Sequence, residues 1–233
     1  MDIQIKHLVK QYGSYRALDD ISLSIGAGMF GLLGPNGAGK TTFMRILTTQ
    51  LVPTSGEVVV GGVDVEREPS TIRQQLGYLP QEFGFYQSLS AFAMLDYVDE
   101  PTVGLDPEER IRFRNVLARI AGQRTVVLST HIVADIEASC SGVAVLRRGK
   151  LLFSGPPAEL VQAATGRVWQ VVVSSAEWER LTQQLQVISS RPLGAQLLAR
   201  VVSAENPFGR GELVEGTLED GYMAVMAQGV AHA

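Results

Sequence analysis

The first part of the chain alternates short apolar segments with segments of helical spacing. Residues 3–5 and 21–25 alternate apolar and polar side chains, which predicts two half-buried strands. Residues 29–33 are almost wholly apolar and predict a strand that is covered on both faces. Residues 43–51 then have helical spacing, and residues 125–130 are rich in β-branched side chains. This order predicts an α/β fold with a largely parallel sheet and flanking helices.

Two later helix starts are marked by capping residues. Asp106 precedes Pro107 and stands three residues before Glu109, an arrangement that predicts a capped helix with proline in its first turn. Thr217 and Asp220 have the spacing of a second capping box, so we expect a final helix near the C-terminal end of the chain.

The pattern changes after residue 165. Residues 168–173 and 196–202 predict strands, and residues 217–226 predict a helix. We therefore expect two domains, a larger one over residues 1–165 and a small α+β accessory domain over residues 166–233.

Composition narrows the class of protein. The net charge is −4 and there is no long basic run, so no nucleic-acid partner is expected. The single cysteine, Cys140, fits a reducing compartment, and we interpret it as a small apolar filler. Neither a signal peptide nor a run of about 18 apolar residues is present, so we expect another chain to supply any membrane span.

A phosphate-binding loop follows the apolar strand at residues 29–33. Its glycines allow backbone N–H groups to point at phosphate oxygens, and the next helix adds its positive N-terminal end. Lys40 is expected to reach the β- and γ-phosphates, and the Thr41 hydroxyl to ligate Mg²⁺. The predicted ATP-binding residues of this loop are Gly34, Pro35, Asn36, Gly37, Ala38, Gly39, Lys40, Thr41 and Thr42.

Four further short segments lie before and after this loop in the sequence. They are Tyr12 before it, the sequence YLPQ ending at Gln81, DEPTVGLDP beginning at Asp99, and STH ending at His131. With the phosphate loop, this ordered set resembles the ATP-binding subunits of ABC transporters. The resemblance covers most of residues 1–165. Within the family, the chain is similar to the ATPases of bacterial drug, antibiotic or polysaccharide exporters, and EGTLEDGYMAVM resembles the tail segment of that subgroup.

The resemblance implies a P-loop NTPase fold and roles for individual residues. Tyr12 would stack on adenine, Gln81 and Asp99 would join Thr41 around Mg²⁺, and Gln81 would sense the membrane partner. Glu100 would orient or deprotonate the attacking water, and His131 would hydrogen-bond the γ-phosphate.

The resemblance also implies partners. They would be a separate transmembrane permease and a second ATP-binding subunit, in a homodimer or heterodimer on the inner face of the cell membrane. In this family each ATP lies between one subunit's phosphate loop and the other subunit's signature helix.

One expected segment is missing. Gln81 and Asp99 are only 18 positions apart, whereas the family places a helical subdomain with an LSGGQ-like signature there. No such sequence occurs anywhere in the chain. The family also implies a strand before Asp99 and beside the phosphate-loop strand. Residues 92–98 have helical spacing, although Tyr97 and Val98 would suit a strand.

Three interpretations remain at the level of sequence. The chain could hydrolyse ATP for an export transporter, bind nucleotide as a degenerate module without turnover, or be a truncated product with no independent role. A nucleotide kinase or GTPase would not explain DEPTVGLDP and STH.

Overall fold

The computed structural model describes residues 2–75, 78–79, 97–99, 106–122 and 124–228. The backbone forms two compact units, Met1–Gly155 and Pro156–Ala233. The first unit contains, in chain order, β1 (Ile3–Tyr12), β2 (Tyr15–Ile25), β3 (Gly28–Leu33), α1 (Lys40–Leu47), β4 (Ser55–Val60), β5 (Val63–Asp64), α2 (Pro69–Gln75), β6 (Tyr78–Leu79), β7 (Tyr97–Asp99), α3 (Pro107–Ala121), β8 (Thr125–Thr130), α4 (Val133–Glu137), β9 (Gly142–Arg147) and β10 (Lys150–Gly155).

An antiparallel sheet in the order β2-β1-β4-β5 forms one layer of this unit. Ile3 pairs with Ile25, and Ile5 pairs with Leu23, so the alternating apolar residues of both strands face the same core. The two predicted strands are confirmed, and both extend well beyond the residues that the alternation indicated.

A mixed sheet in the order β10-β9-β3-β8-β7-β6 forms the second layer within the described residues. Its neighbours pair in parallel except β10, which returns antiparallel to β9. β3 is buried apart from Gly28, and β8 is buried throughout, as expected of strands covered on both faces. The α/β fold with a parallel or mixed sheet is confirmed.

The position in the sheet of β7, the strand that carries Asp99, differs from one expectation. Residues 97–99 are extended, so the conversion to strand that Tyr97 and Val98 favoured is confirmed. However, β7 does not lie beside β3, because β8 is inserted between them. The β-rich segment 125–130 therefore takes the position beside β3 that the resemblance implies for the strand before Asp99.

Helix α1 is the apolar centre of the first unit. Its side chains at Phe43, Met44, Ile46 and Leu47 are wholly buried, and each contributes about 1.5–3 kcal/mol of hydrophobic free energy. The helix ends at Leu47 rather than at the predicted residue 51, because Thr49 adopts a φ of 58°.

The end of α1 is held by a Schellman motif. The Gln50 N–H donates to the Arg45 carbonyl at 2.8 Å and the Thr49 N–H donates to the Ile46 carbonyl at 3.0 Å. These two bonds satisfy carbonyls that a longer helix would have used, and they turn the chain toward β4.

Helix α3 begins as the sequence predicted. The Asp106 carboxylate accepts a hydrogen bond from the Glu109 N–H at 2.8 Å, and Gly122 caps the other end.

Cys140 packs beside Met29 and Leu117. Burial raises the pKa of the Cys140 thiol to about 12, and the nearby Asp135 charge adds to that effect. The thiol is therefore protonated at neutral pH, in keeping with a packing role.

The second unit contains α5 (Pro157–Gln162), β11 (Val168–Val173), α6 (Ser175–Gln184), β12 (Gln186–Leu193), β13 (Gln196–Val202), a 3-10 helix (Pro207–Gly209), β14 (Glu212–Leu213) and α7 (Leu218–Gln228). Its antiparallel sheet has the order β12-β13-β11-β14. The predicted strands 168–173 and 196–202 coincide with β11 and β13. The exposed edge strand β12 was missed because most of its side chains are polar or face solvent.

Helix α5 packs with α7, so it belongs to the second unit. Gly221 of α7 permits this contact, since a Cβ at that position would collide with the Leu160 carbonyl. The division after Gly155 therefore comes before α5, earlier than the expected boundary after residue 165. The division of the chain into two domains at residue 165 stays a prediction.

A buried ion pair fixes α7 to the sheet. Arg200 Nη2 lies 2.7 Å from Asp220 Oδ2, and Nε donates to Oδ1 at 2.9 Å. The Thr217 N–H and hydroxyl each donate to the same carboxylate at 2.7 Å, which confirms the predicted capping box. Burial opposes ionisation of Asp220, but the bonds from Arg200 and Thr217 outweigh it and hold the pKa of the carboxyl below its usual value.

We predict that Asp220→Asn destabilises the second unit by about 3 kcal/mol at pH 7, because Arg200 loses its buried counter-charge. Since the folded pKa is depressed, the ionised carboxylate stabilises the fold above the unfolded value of 3.8. This advantage is lost as the pH falls through the lower folded pKa. Both tryptophans, Trp169 and Trp178, lie in this unit, so urea denaturation followed by tryptophan fluorescence measures it separately.

The matched control is Glu219→Gln, which removes an exposed carboxylate one residue earlier in the same helix. It should change stability by less than about 0.5 kcal/mol. A loss in Asp220→Asn that is equally large at pH 2.5 and at pH 7 would contradict the assigned ion pair.

Candidate functional site: the loop between β3 and α1

A glycine-rich loop connects the buried strand β3 to α1. Gly39 caps the helix with a φ of 106°, and Gly37 has a φ of 76°, values that L side chains rarely adopt. The Phe43 N–H donates to the Gly39 carbonyl at 2.9 Å, so the helix starts immediately after the loop. A helix N-terminus is thereby directed at the mouth of the loop, where it favours an anion.

Lys40 is buried inside the loop. Its side chain is only 5% exposed, and Nζ donates to the Gly34 carbonyl at 2.7 Å and to the Pro35 carbonyl at 3.3 Å. These bonds hold the ammonium group within the curl of the backbone. A buried cation beside N–H groups at a helix start is a suitable binding place for phosphate oxygens.

The loop lies against strands β2 and β9, with no room for a side chain at either of two glycines. A Cβ on Gly39 would stand 2.7 Å from the Ala17 carbonyl oxygen and 2.9 Å from Leu18 Cδ2. A Cβ on Gly34 would collide with the Leu146 carbonyl. The curvature of the loop therefore requires glycine at both positions for packing reasons.

The turn between β9 and β10 braces the same loop. The Gly149 N–H donates to the Ala38 carbonyl at 2.9 Å, and the Gly149 carbonyl accepts from the Asp19 N–H at 2.8 Å. Gly149 has a φ of 78°, and a Cβ there would stand 2.7 Å from the Ala17 carbonyl. No motif in the sequence assigns Gly149 to the site, although a glycine followed by lysine between two strands is typical of a tight turn.

Charged side chains reinforce this brace. Arg16 Nη1 donates to Asp19 Oδ1 at 2.7 Å, and Lys150 Nζ lies 3.6 Å from Oδ2. The hydrogen bond from Arg16 is the main cause that holds the pKa of Asp19 below its usual value. Both cations are more than half exposed, so these two ion pairs add little to the stability of the fold.

A cleft of about 340 Å³ opens between this loop and the tip of the β1–β2 hairpin. It is lined by Tyr12, Tyr15 and Ala17 from the hairpin and by every residue from 36 to 42 of the loop. Thr41 and Thr42 lie in the first turn of α1 and are half-buried where they line the cleft. The structure therefore brings the predicted aromatic residue and the predicted phosphate loop to one cavity.

Strand register places two more predicted residues at the same edge of the mixed sheet. Leu32 of β3, Ser129 of β8 and Asp99 of β7 lie level with one another. Leu33 pairs with Thr130, so His131 follows β8 just where Gly34 follows β3. His131 is exposed. Because parallel strands present their carboxyl ends at one edge, Asp99 and His131 both lie on the side of the phosphate loop.

Gln81 and Glu100 lie outside the residues that the structure describes. Their predicted roles therefore remain predictions, as do the roles assigned to Asp99 and His131.

A family model described as ABC transporter matches residues 18–142. Among curated proteins, the chain is 29% identical to the probable multidrug ABC transporter ATP-binding protein YbhF of Escherichia coli, over 68% of this chain and 38% of YbhF. It is also 29% identical to the daunorubicin resistance ATP-binding protein DrrA2 of Streptomyces coeruleorubidus, over 85% of this chain and 81% of that protein.

A third relative is the Nod factor export ATP-binding protein I of Rhizobium meliloti, which is 30% identical over 70% of this chain and 67% of that protein. Solved structures share the fold. The ATP-binding subunit of an ABC transporter matches with a TM-score of 0.61 and 20% identity, over 70% of this chain and 92% of its own. A dimeric bacterial ABC transporter cassette matches with a TM-score of 0.58 and 18% identity, over 66% and 98%.

We predict that Gly39→Ala destabilises the start of α1 more than Gly37→Ala does. Both positions have positive φ, which costs an L residue about 1–2 kcal/mol. Only the Cβ at Gly39 would meet backbone atoms, because nothing lies within 4 Å of the Cβ position at Gly37. Hydrogen exchange of the amides of residues 43–47 should therefore accelerate clearly in Gly39→Ala and only slightly in Gly37→Ala. Equal acceleration would mean that β2 does not constrain the loop.

Proposed function

Because the chain belongs to the ABC transporter family, we propose that it is the ATP-binding subunit of an export transporter, which binds Mg-ATP and hydrolyses it to drive a separate membrane subunit. The observation that carries this proposal is the buried Lys40 ammonium at the carbonyls of the phosphate loop, in a cleft shared with Tyr12. Members of this family bind ATP, commonly with Mg²⁺.

The residues of the cleft fit a nucleoside triphosphate. The loop N–H groups, the start of α1 and Lys40 supply the positive charge that the phosphates need. Tyr12 offers an exposed ring for the base at the other end of the cleft. Thr41 and Asp99 would hold Mg²⁺ with Gln81, and the bound ion would neutralise charge on the β- and γ-phosphates.

Glu100 and His131 would complete the catalytic set. Glu100 would accept a proton from the attacking water or orient it, and His131 would hydrogen-bond the γ-phosphate. The register of β7 and β8 supports this proposal, since it brings Asp99 and the residue before His131 to the edge of the sheet where Gly34 begins the loop.

The proposed partners are a transmembrane permease and a second ATP-binding subunit, with the chain at the inner face of the cell membrane. Within the described residues, no helix is long and apolar enough to cross a membrane. Export is favoured by the names of relatives that concern multidrug transport, daunorubicin resistance and Nod factor export.

One observation favours a second candidate function, a degenerate module that binds nucleotide without turnover. The alignment with DrrA2 runs over 261 residues, which is more than the 233 residues of this chain, although it covers only 85% of it. Within the alignment, roughly 60 positions of that relative therefore stand opposite gaps in this chain. The absence of a helical subdomain and its signature sequence would account for a difference of this size, and it would leave the γ-phosphate without the partner helix N-terminus.

We predict that Lys40→Ala weakens ATP binding at least about tenfold, because a charge-assisted contact to phosphate is worth about 1.5–3 kcal/mol. Isothermal titration of the full chain with Mg-ATP measures this change. Lys6→Ala removes an exposed lysine outside the cleft and should bind ATP as the parent chain does. Equal affinity in all three proteins would remove the phosphate loop from the binding site.

We predict that Glu100→Gln lowers ATP turnover by at least about a hundredfold while ATP binding persists, because a positioned general base contributes about 10²–10⁴-fold. Turnover is measured with the chain alone and with its co-expressed permease. The matched control is Glu108→Gln, an exposed carboxylate in the first turn of α3. ATP binding without any turnover in the unsubstituted chain, even with the permease, would overturn the hydrolytic role in favour of the degenerate module.

A further inference from the structure

The tip of the β1–β2 hairpin carries two tyrosines at directly paired positions. A two-residue turn at Gly13 and Ser14 joins the strands, and Gly13 has the positive φ of 56° that such turns need. Tyr12 is the direct cross-strand partner of Tyr15. Direct partners of an antiparallel pair place their side chains on one face, with Cβ atoms about 4.5–5.5 Å apart. The side chains of Tyr12 and Tyr15 therefore leave the hairpin on the same face.

Both rings are open to solvent and border the cleft. Tyr12 is 47% exposed and Tyr15 is 57% exposed, and both line the cavity that ends at Gly39 and Lys40. Two partly exposed aromatic residues that line a cleft beside an anion-binding loop suit a ligand with an aromatic part and an anionic part.

Tyr12 can offer only part of its surface to such a ligand. Lys10 Nζ lies 5.2 Å from the centroid of the Tyr12 ring, within the range of a cation–π contact. The same ammonium group donates to the Val52 carbonyl at 2.7 Å, which fixes it there. One face of the Tyr12 ring is therefore occupied by Lys10, and the other face is left for a base. Tyr15 is the second aromatic residue that lines the cleft.

We propose that Tyr15 is a second base-binding residue of the cleft, which contacts the purine together with Tyr12. The inference rests on the proposed ATP site and adds a specificity element to it. The resemblance to the family assigns a base contact to Tyr12 alone, whereas the hairpin register supplies the second ring. Stacking uses the π-face that every base has, so the pair should hold adenine and guanine alike while selecting against a ligand without a base.

The test compares three ligands on the full chain: Mg-ATP, Mg-GTP and Mg-tripolyphosphate. Tyr15→Ala should weaken ATP and GTP binding at least about fivefold, as expected for the loss of one stacked ring, and leave tripolyphosphate affinity unchanged. Tyr15→Phe keeps the ring and should retain parent affinity for all three ligands. In the double variant with Tyr12→Ala, the advantage of ATP over tripolyphosphate should shrink further than in either single variant.

The outcomes separate this inference from the proposed function. Unchanged ATP affinity in Tyr15→Ala, with ATP still bound through Lys40, overturns the role of Tyr15 and leaves the ATP site in place. An equal loss for ATP and tripolyphosphate also overturns it, because the substitution would then act on the loop rather than on the base. Absence of binding of all three ligands to the unsubstituted chain removes the proposed ATP site and this inference together.

Discussion

The close approach between the phosphate loop and strand β2 is the constraint on which the candidate site depends. Gly39 and Gly149 both lie against the Ala17 carbonyl, at distances that leave no space for a side chain. β2 also carries Tyr15 and pairs with the strand that ends at Tyr12. The position of the hairpin backbone that carries Tyr12 and Tyr15 is therefore set, relative to Lys40, by backbone packing. A site built in this way is arranged before a ligand arrives, which lowers the entropy lost on binding.

The charges of the cleft follow from the same packing. Lys40 is directed inward by two loop carbonyls, and the adjoining helix start adds N–H groups that lack helical partners. Without an anion, this combination concentrates positive potential at the floor of a cavity whose upper rim is aromatic. A nucleoside triphosphate matches both ends, whereas inorganic phosphate would match only the floor.

The sequence predicted the parts of the site that depend on local pattern. The glycine positions, Lys40 and the strand before them could be found because the loop has a fixed spacing, and the caps at Asp106 and Thr217 could be found for the same reason. Features set by long-range packing could not be predicted. The position of β8 between β3 and β7 depends on pairing between strands that are far apart in the chain. The contact of Gly149 with Ala38 likewise joins distant residues. Thr49 ended α1 early because a threonine adopted a left-handed conformation that is usually reserved for glycine or asparagine.

We propose that the cleft between the hairpin and the phosphate loop holds a nucleoside triphosphate. A crystal structure of the full chain with Mg²⁺ and a non-hydrolysable ATP analogue tests it most directly. In that structure the triphosphate should lie along residues 34–42 with its terminal phosphate near Lys40, and the base should contact Tyr12. A triphosphate bound elsewhere, or a cleft in which Lys40 keeps its loop carbonyls and no phosphate is seen at saturating ligand, would contradict it.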